Sequence, residues 1–188
     1  MINFGKFLYR NRDKIPIPFF VIMLFFSNPS FKGFLLIPLL FLGEFLRIYS
    51  LMYVGELTRA KEINANFLVT GGPYSYVRNP IYLGNFFIAL FFVIFYNPPI
   101  IFYLLFFILF FVQYYFIILE EEKFLEEKFG EEYKEYKRKT FRFIPKFPSY
   151  EKKTKRLYNL KEVLRFEKST LILILFLIFV GVLLKYIK

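Results

Sequence analysis

Three consecutive carboxylates, Glu120–Glu122, follow directly on a long apolar stretch and are candidates for acid–base chemistry. Adjacent carboxylates at a membrane boundary, beside the negative end of a helix dipole, are unfavourable unless they have partners. An apolar and aromatic stripe follows them at helical spacing: Leu125, Phe129, Tyr133 and Tyr136. Glu121 lies four residues before Leu125 and shares that stripe, so the pattern predicts an amphipathic helix that buries Glu121. The alternative is a solvated helix beside the membrane, and Gly130 is expected to break or cap it.

A second organised segment, residues 66–84, contains a turn enforced by Gly71, Gly72 and Pro73. Pro80 suits the first turn of a following helix, where its missing N–H has no consequence. Arg78 and Asn79 are then expected at a helix amino terminus, where unbonded N–H groups and the positive dipole end favour an anion such as a cofactor carboxylate. The alternative is a membrane-entry loop in which Arg78 extends to lipid head groups.

The composition narrows the chemistry further. The chain of 188 residues contains no cysteine and no histidine. Disulfides, thiolate metal sites, cysteine nucleophiles and a serine triad are therefore excluded, and no metal site is predicted. Any catalysis has to use carboxylates, tyrosine, arginine, lysine, amides or a bound cofactor.

Apolar stretches predict an all-α integral membrane protein that forms a single domain, 1–188. The chain is 57% hydrophobic and its apolar residues run in long blocks. About 20 residues are needed for a perpendicular span, and three of the five stretches, 15–27, 81–96 and 170–184, are shorter than that. Asn97-Pro98-Pro99 predicts a tight turn between two helices of a hairpin. The predicted spans are 15–27, 34–54, 81–96, 100–119 and 170–184.

The distribution of basic residues predicts the orientation. The net charge is +11, and most basic residues fall in 1–14, 55–80 and 120–169. By the positive-inside rule these segments and the amino terminus are cytoplasmic and the carboxyl terminus lies outside, so the charge indicates no nucleic acid partner. Residues 151–168 are expected to pack on the membrane surface. Glu44 and Arg47, three residues apart within a span, are expected to pair with each other or to face the site.

The two organised segments, flanking a helical hairpin, resemble the isoprenylcysteine carboxyl methyltransferase family and the related phospholipid methyltransferases. The matching stretches, in the family's order, are Leu68-Val69-Thr70, Gly72-Pro73-Tyr74, 76–84, Glu121-Glu122 with Leu125, Phe129-Gly130 with Tyr133 and Tyr136, and Ile144-Pro145. The resemblance covers residues 60–146, and 150–188 is an additional basic segment and span. Asn66 and Asn79 stand where the family usually has His, and Ile117 stands where the prenylcysteine enzymes place an Arg.

The resemblance implies an S-adenosylmethionine pocket without a Rossmann fold. Glu121, Glu122 and Arg78 are the implied catalytic residues, and an aromatic face such as Tyr74 or Tyr82 would stabilise the sulfonium. The implied cofactor-binding residues are Arg59, Asn66, Phe67, Leu68, Val69, Tyr74, Asn79, Pro80, Ile81, Tyr82 and Glu121.

The expected function is S-adenosylmethionine-dependent methyl transfer to a lipidic acceptor, either prenylcysteine-like or another carboxylate. A carboxylate is already nucleophilic, so the protein would mainly orient it. Three alternatives are open: N-methylation of a phospholipid amine, which requires a base; an NADPH-dependent enzyme similar to sterol reductases; and a non-catalytic membrane scaffold. The expected partners are the bilayer and a lipidic or lipidated substrate.

Overall fold

The computed structural model describes residues 4–56, 60–150, 152 and 154–187. Within these residues the chain is helical and contains no strand. An isolated parallel β-bridge joins Val77 to Phe141. The helices are α1 (Phe4–Arg10), α2 (Pro16–Phe26), α3 (Ile37–Val54), α4 (Pro80–Tyr96), α5 (Ile100–Lys139) and α6 (Leu160–Ile187), with short 3-10 helices at Phe31–Leu36 and Gly72–Ser75.

Proline and residues with positive φ set the helix boundaries. α4 begins at Pro80, as predicted, and ends before Asn97, which adopts a left-handed conformation at φ 45°. Pro98 and Pro99 follow, and α5 begins at Ile100. The predicted hairpin is therefore confirmed. The left-handed residue ends α4, and the prolines cannot continue it but are compatible with the start of α5.

α5 has two parts. Its apolar part, 100–119, is followed by a charged extension that reaches Lys139. Gly130 interrupts this extension at φ 53° and ψ −126°, so the predicted break is confirmed. The change in direction sends Tyr133 and Tyr136 into a small core with Leu68 and Tyr150, against which Leu125 and Phe129 pack.

The main core surrounds the second half of α4, where Phe91, Phe92 and Tyr96 are almost fully buried. Close contact between α3 and α4 depends on Gly43 and Gly84. A Cβ atom on Gly84 would lie 2.7 Å from the Gly43 carbonyl oxygen and 2.7 Å from the Arg47 Cγ. Small residues allow this approach between membrane helices, and here it brings the Arg47 side chain against α4.

Three helices of the described residues are long and apolar enough to cross a membrane: Phe31–Val54, Ile100–Lys139 and Leu160–Ile187. Pro16–Phe26 and Pro80–Tyr96 are apolar but shorter, so helices appear at all five predicted stretches and the number of complete spans stays a prediction. α6 is fastened to α4 by a 2.7 Å hydrogen bond from the Tyr96 hydroxyl to the Leu177 carbonyl.

Candidate active site

A cavity of about 800 Å³ lies where the three segments predicted to be cytoplasmic come together. Ligand sites typically occupy about 300–1,000 Å³, so the cavity is large enough for a cofactor and part of a second molecule. Its wall is formed by residues 9–14, the loop 60–69, the start of α4, Glu121 of α5 and residues between Glu167 and Leu173 of α6. Segments that are far apart in the chain therefore form one site.

The residues nominated for cofactor binding are brought together around this cavity. Arg78, nominated for catalysis, also lines it, whereas Glu122 does not. Arg59 lies outside the described residues. The cavity-lining residues among those nominated for the cofactor are Asn66, Phe67, Leu68, Val69, Tyr74, Asn79, Pro80, Ile81, Tyr82 and Glu121.

The loop that carries several of these residues is held by the segment before α6. The Thr154 hydroxyl accepts hydrogen bonds from the N–H groups of Thr70 (3.0 Å) and Gly71 (2.9 Å). The Thr70 hydroxyl donates to the Lys152 carbonyl at 2.6 Å. Gly72 then turns the chain at φ 56°, a conformation that favours glycine. Thr154, in a stretch expected to pack on the membrane surface, therefore supports the site.

The residues just before α4 are hydrogen-bonded to the residues just after α5, and these hydrogen bonds form a clamp between the two helices. The backbone N–H of Arg78 donates to the Phe141 carbonyl at 2.8 Å, and that of Asn79 donates to the Arg142 carbonyl at 3.1 Å. The Asn79 side-chain amide donates to the same Arg142 oxygen at 3.2 Å. The N–H groups of Arg78 and Asn79, expected to attract an anion, are thus already bonded to carbonyls.

Glu122 occupies the centre of an ion-pair cluster next to this clamp. Its carboxylate accepts one hydrogen bond from Arg78 at 3.0 Å and two from Arg142 at 2.9 and 2.8 Å. Burial by itself would raise the pKa of Glu122, but the hydrogen bonds from Arg142 and the charge of Arg78 outweigh it and lower that pKa. Glu122 therefore stays ionised at neutral pH. Arg78 is buried in this cluster and does not extend to head groups.

Glu121 has the opposite environment. Its Oε1 accepts a 2.6 Å hydrogen bond from the Tyr82 hydroxyl, and the accessible part of its side chain faces the cavity. Burial raises the pKa of Glu121 to about 7, although the Tyr82 hydrogen bond and the charge of Arg12 oppose the increase. A carboxyl group with a pKa near neutrality exchanges a proton readily, which is the property required of a general base.

The amino-terminal segment closes another side of the cavity, which the sequence did not indicate. The Arg12 guanidinium donates to the Tyr9 carbonyl at 2.8 Å and to the Ala60 carbonyl at 3.1 Å. It also lies over the Tyr9 ring, 4.1 Å from the centroid. Arg12 therefore links the amino-terminal segment to the loop 60–69.

Arg47, one of the two charged residues predicted within a span, lines the cavity. Its partner is Glu167 of α6, at 2.7 Å, rather than Glu44. Both oxygens of Glu44 are buried and have no hydrogen-bond partner among the described residues. The expected pair of Glu44 with Arg47 is therefore wrong, and Arg47 faces the cavity instead. A charge within an apolar stretch is the signal that pointed to this residue.

Other cavity residues were not identified from the sequence, notably Asn85, Tyr114 and Glu167. Asn85 and Tyr114 lie inside apolar runs, where one polar side chain gives little indication of a site. Among the described residues there is no group of three or more His, Cys, Asp or Glu side chains that could hold a metal ion.

A comparison with protein families gives a match to the model described as Phospholipid methyltransferase, over residues 30–132. The matched range includes α3, α4, Glu121 and Glu122, and it ends before α6. No curated protein matches the chain. No solved structure matches it either.

Proposed function

The chain belongs to the phospholipid methyltransferase family, and on that premise we propose that it uses S-adenosylmethionine to methylate a lipid acceptor in the cavity. Family membership makes it a membrane methyltransferase. The observation that carries the proposal for the site is the convergence of the nominated cofactor residues, including Glu121, on one cavity. The cavity has the volume, the aromatic side chains and the amide groups that an adenosyl sulfonium compound requires.

The loop residues 66–69, together with Tyr74 and Asn79–Tyr82, would hold the cofactor. Asn66 and Asn79 supply amides at the positions where the family usually has His, and an amide both donates and accepts hydrogen bonds. The Tyr74 ring offers a face to the sulfonium. When bound, the cofactor would supply an electrophilic methyl group to the acceptor's lone pair, and S-adenosylhomocysteine would be the leaving group.

The acceptor we propose is the amine of a phospholipid head group. A protonated amine has no lone pair for the displacement, so a base must first remove its proton. Glu121 is suited to this because its pKa is about 7. Ile117, at the position where the prenylcysteine enzymes place an Arg, is fully buried in a core with Leu8 and Tyr9. That position therefore offers no cation to a prenylcysteine carboxylate.

A lipid carboxylate is the second candidate acceptor. It needs no base, and the guanidinium groups of Arg12 and Arg47 in the cavity wall favour an anionic group. In either case the lipid enters from the bilayer and the cofactor from the aqueous side. We propose that this side is the cytoplasm, because the basic segments 1–14, 55–80 and 120–169 contribute to this end.

The proposal is tested by calorimetric binding of S-adenosylmethionine, S-adenosylhomocysteine and NADPH to detergent-purified protein, with Asn79→Ala alongside. We expect the two adenosyl compounds to bind and NADPH not to bind. Methyl transfer is then measured in vesicles that contain phosphatidylethanolamine, a prenylcysteine or neither. Folded protein that binds neither adenosyl compound would refute the methyltransferase proposal, and binding of NADPH alone would favour the reductase.

Replacing Tyr82 with Phe should move the pH dependence of methyl transfer to higher pH. In the wild type we expect kcat/KM to rise with pH through about 7, as the Glu121 carboxyl loses its proton. The Tyr82 hydroxyl stabilises the carboxylate form by donating to it, so its removal should raise the Glu121 pKa. Profiles of kcat/KM from pH 5.5 to 9 for both proteins measure the shift. An unchanged profile in Tyr82→Phe would mean that the rise of kcat/KM with pH comes from the titration of a group other than Glu121.

A further inference from the structure

We infer that Glu167 of α6 is a positioning residue for methyl transfer, acting through the side chains of the cavity wall on Glu121. The inference rests on the proposed function, in which Glu121 is the base. It also gives the last helix a role in the site, although α6 lies beyond the matched range 30–132.

The first link is a buried ion pair between α6 and α3. The Arg47 Nη2 donates to both oxygens of the Glu167 carboxylate, at 2.7 and 3.0 Å. The side chain of Glu167 is 1% exposed and that of Arg47 is 13% exposed. A planar guanidinium held at two oxygens has little rotational freedom. Glu167 therefore determines how Arg47 is oriented in the cavity wall.

The second link transfers this orientation to α4 and α5. The Nη1 of Arg47 donates to the Oδ1 of Asn85, and the Asn85 amide donates to the Tyr114 hydroxyl at 2.9 Å. The Arg47 guanidinium has only donors, so it binds the carbonyl oxygen of the Asn85 amide. The amide nitrogen of Asn85 then faces Tyr114. Arg47 thus sets the direction of the Asn85–Tyr114 hydrogen bond.

The third link reaches the proposed base. The rings of Tyr114 and Tyr82 are in contact, with centroids 4.5 Å apart, and the Tyr82 hydroxyl donates to Glu121 at 2.6 Å. Each of the six side chains, from Glu167 to Glu121, lines the cavity. A displacement of Arg47 would therefore be passed to the hydroxyl that holds the Glu121 carboxylate. Misplacement of a reacting group by about 1 Å lowers a rate by about 100-fold.

Three variants separate positioning from a purely structural role. Glu167→Gln removes the charge at constant size, and Glu167→Asp keeps the charge. The double variant Arg47→Met/Glu167→Leu removes both charges, because replacing a buried ion pair by apolar side chains is often neutral or stabilising. The matched control is Glu131→Gln, which changes an exposed Glu paired with Lys134. Thermal unfolding, S-adenosylmethionine affinity, kcat and KM are measured for all of them.

We expect Glu167→Gln to lower kcat by about 10- to 100-fold, with S-adenosylmethionine affinity changed much less, and Glu167→Asp to recover part of the loss. The double variant should recover the thermal stability of the wild type and keep a low kcat. Wild-type kcat in the double variant, or in folded Glu167→Gln, would overturn the inference. An inactive wild type would instead refute the proposed function, so the two failures are distinguishable.

Discussion

Replacing Glu121 with Gln should lower kcat for methylation of an amine acceptor by about 10²- to 10⁴-fold, the range typical of general acid–base catalysis. Glutamine matches glutamate in size, and its oxygen still accepts the hydrogen bond that Tyr82 donates to Glu121 at 2.6 Å. It has no carboxylate to receive a proton. The loss of kcat should therefore exceed any loss of S-adenosylmethionine affinity, measured by calorimetry on the same preparation.

The same substitution should not impair folding. Burial raises the pKa of Glu121 above its ordinary value of 4.5, to about 7, so the folded protein holds the proton more tightly than the unfolded chain. Stability from this group is present at low pH and is lost as the pH rises from about 4.5 to about 7. Glu121→Gln should thus unfold at an equal or higher temperature than the wild type at pH 8. Wild-type kcat at pH 8 in the variant would exclude Glu121 as the base.

Replacing Glu122 with Ala should produce the largest loss of stability, about 3–5 kcal/mol, which is typical when one partner of a buried ion pair is removed. Glu122 is 5% exposed and accepts hydrogen bonds from Arg78 and Arg142. Its removal leaves the buried Arg78 guanidinium without its carboxylate. Because the same two arginines belong to the clamp between α4 and α5, the cavity should also lose its shape. Thermal unfolding in detergent measures the effect.

Two comparisons test this explanation of the Glu122 variant. Glu131→Gln affects an exposed pair with Lys134 and should cause no measurable change. The double variant Arg78→Met/Glu122→Leu should be more stable than Glu122→Ala, because it also removes the buried Arg78 charge, whereas the Arg142 side chain is 32% exposed and can be hydrated. If Glu122→Ala unfolds like the wild type, the cluster does not hold the clamp together.

The contrast between Glu121 and Glu122 illustrates how far the sequence predicts the site. The family resemblance implied a catalytic role for both, whereas the helical spacing placed only Glu121 on the apolar and aromatic stripe of α5. Successive residues of a helix are rotated by about 100°, so the two side chains point to different neighbours. Tyr82 and the cavity face Glu121, whereas Arg78 and Arg142 surround Glu122. Which neighbour each one meets depends on how α4 packs against α5.

The amino-acid sequence was enough to predict the five apolar helices, the hairpin at Asn97–Pro99, the break at Gly130 and two of the segments that line the cavity, 66–82 and the stretch that begins at Glu121. These features depend on local properties: apolar stretches, proline, glycine and helical spacing. The pairing of Arg47 with Glu167, 120 residues away in the chain, depends instead on how the helices pack. The same holds for the hydrogen bonds from the N–H groups of Arg78 and Asn79 to carbonyls. A polar group buried far from water needs a partner, but its own sequence neighbours do not specify that partner.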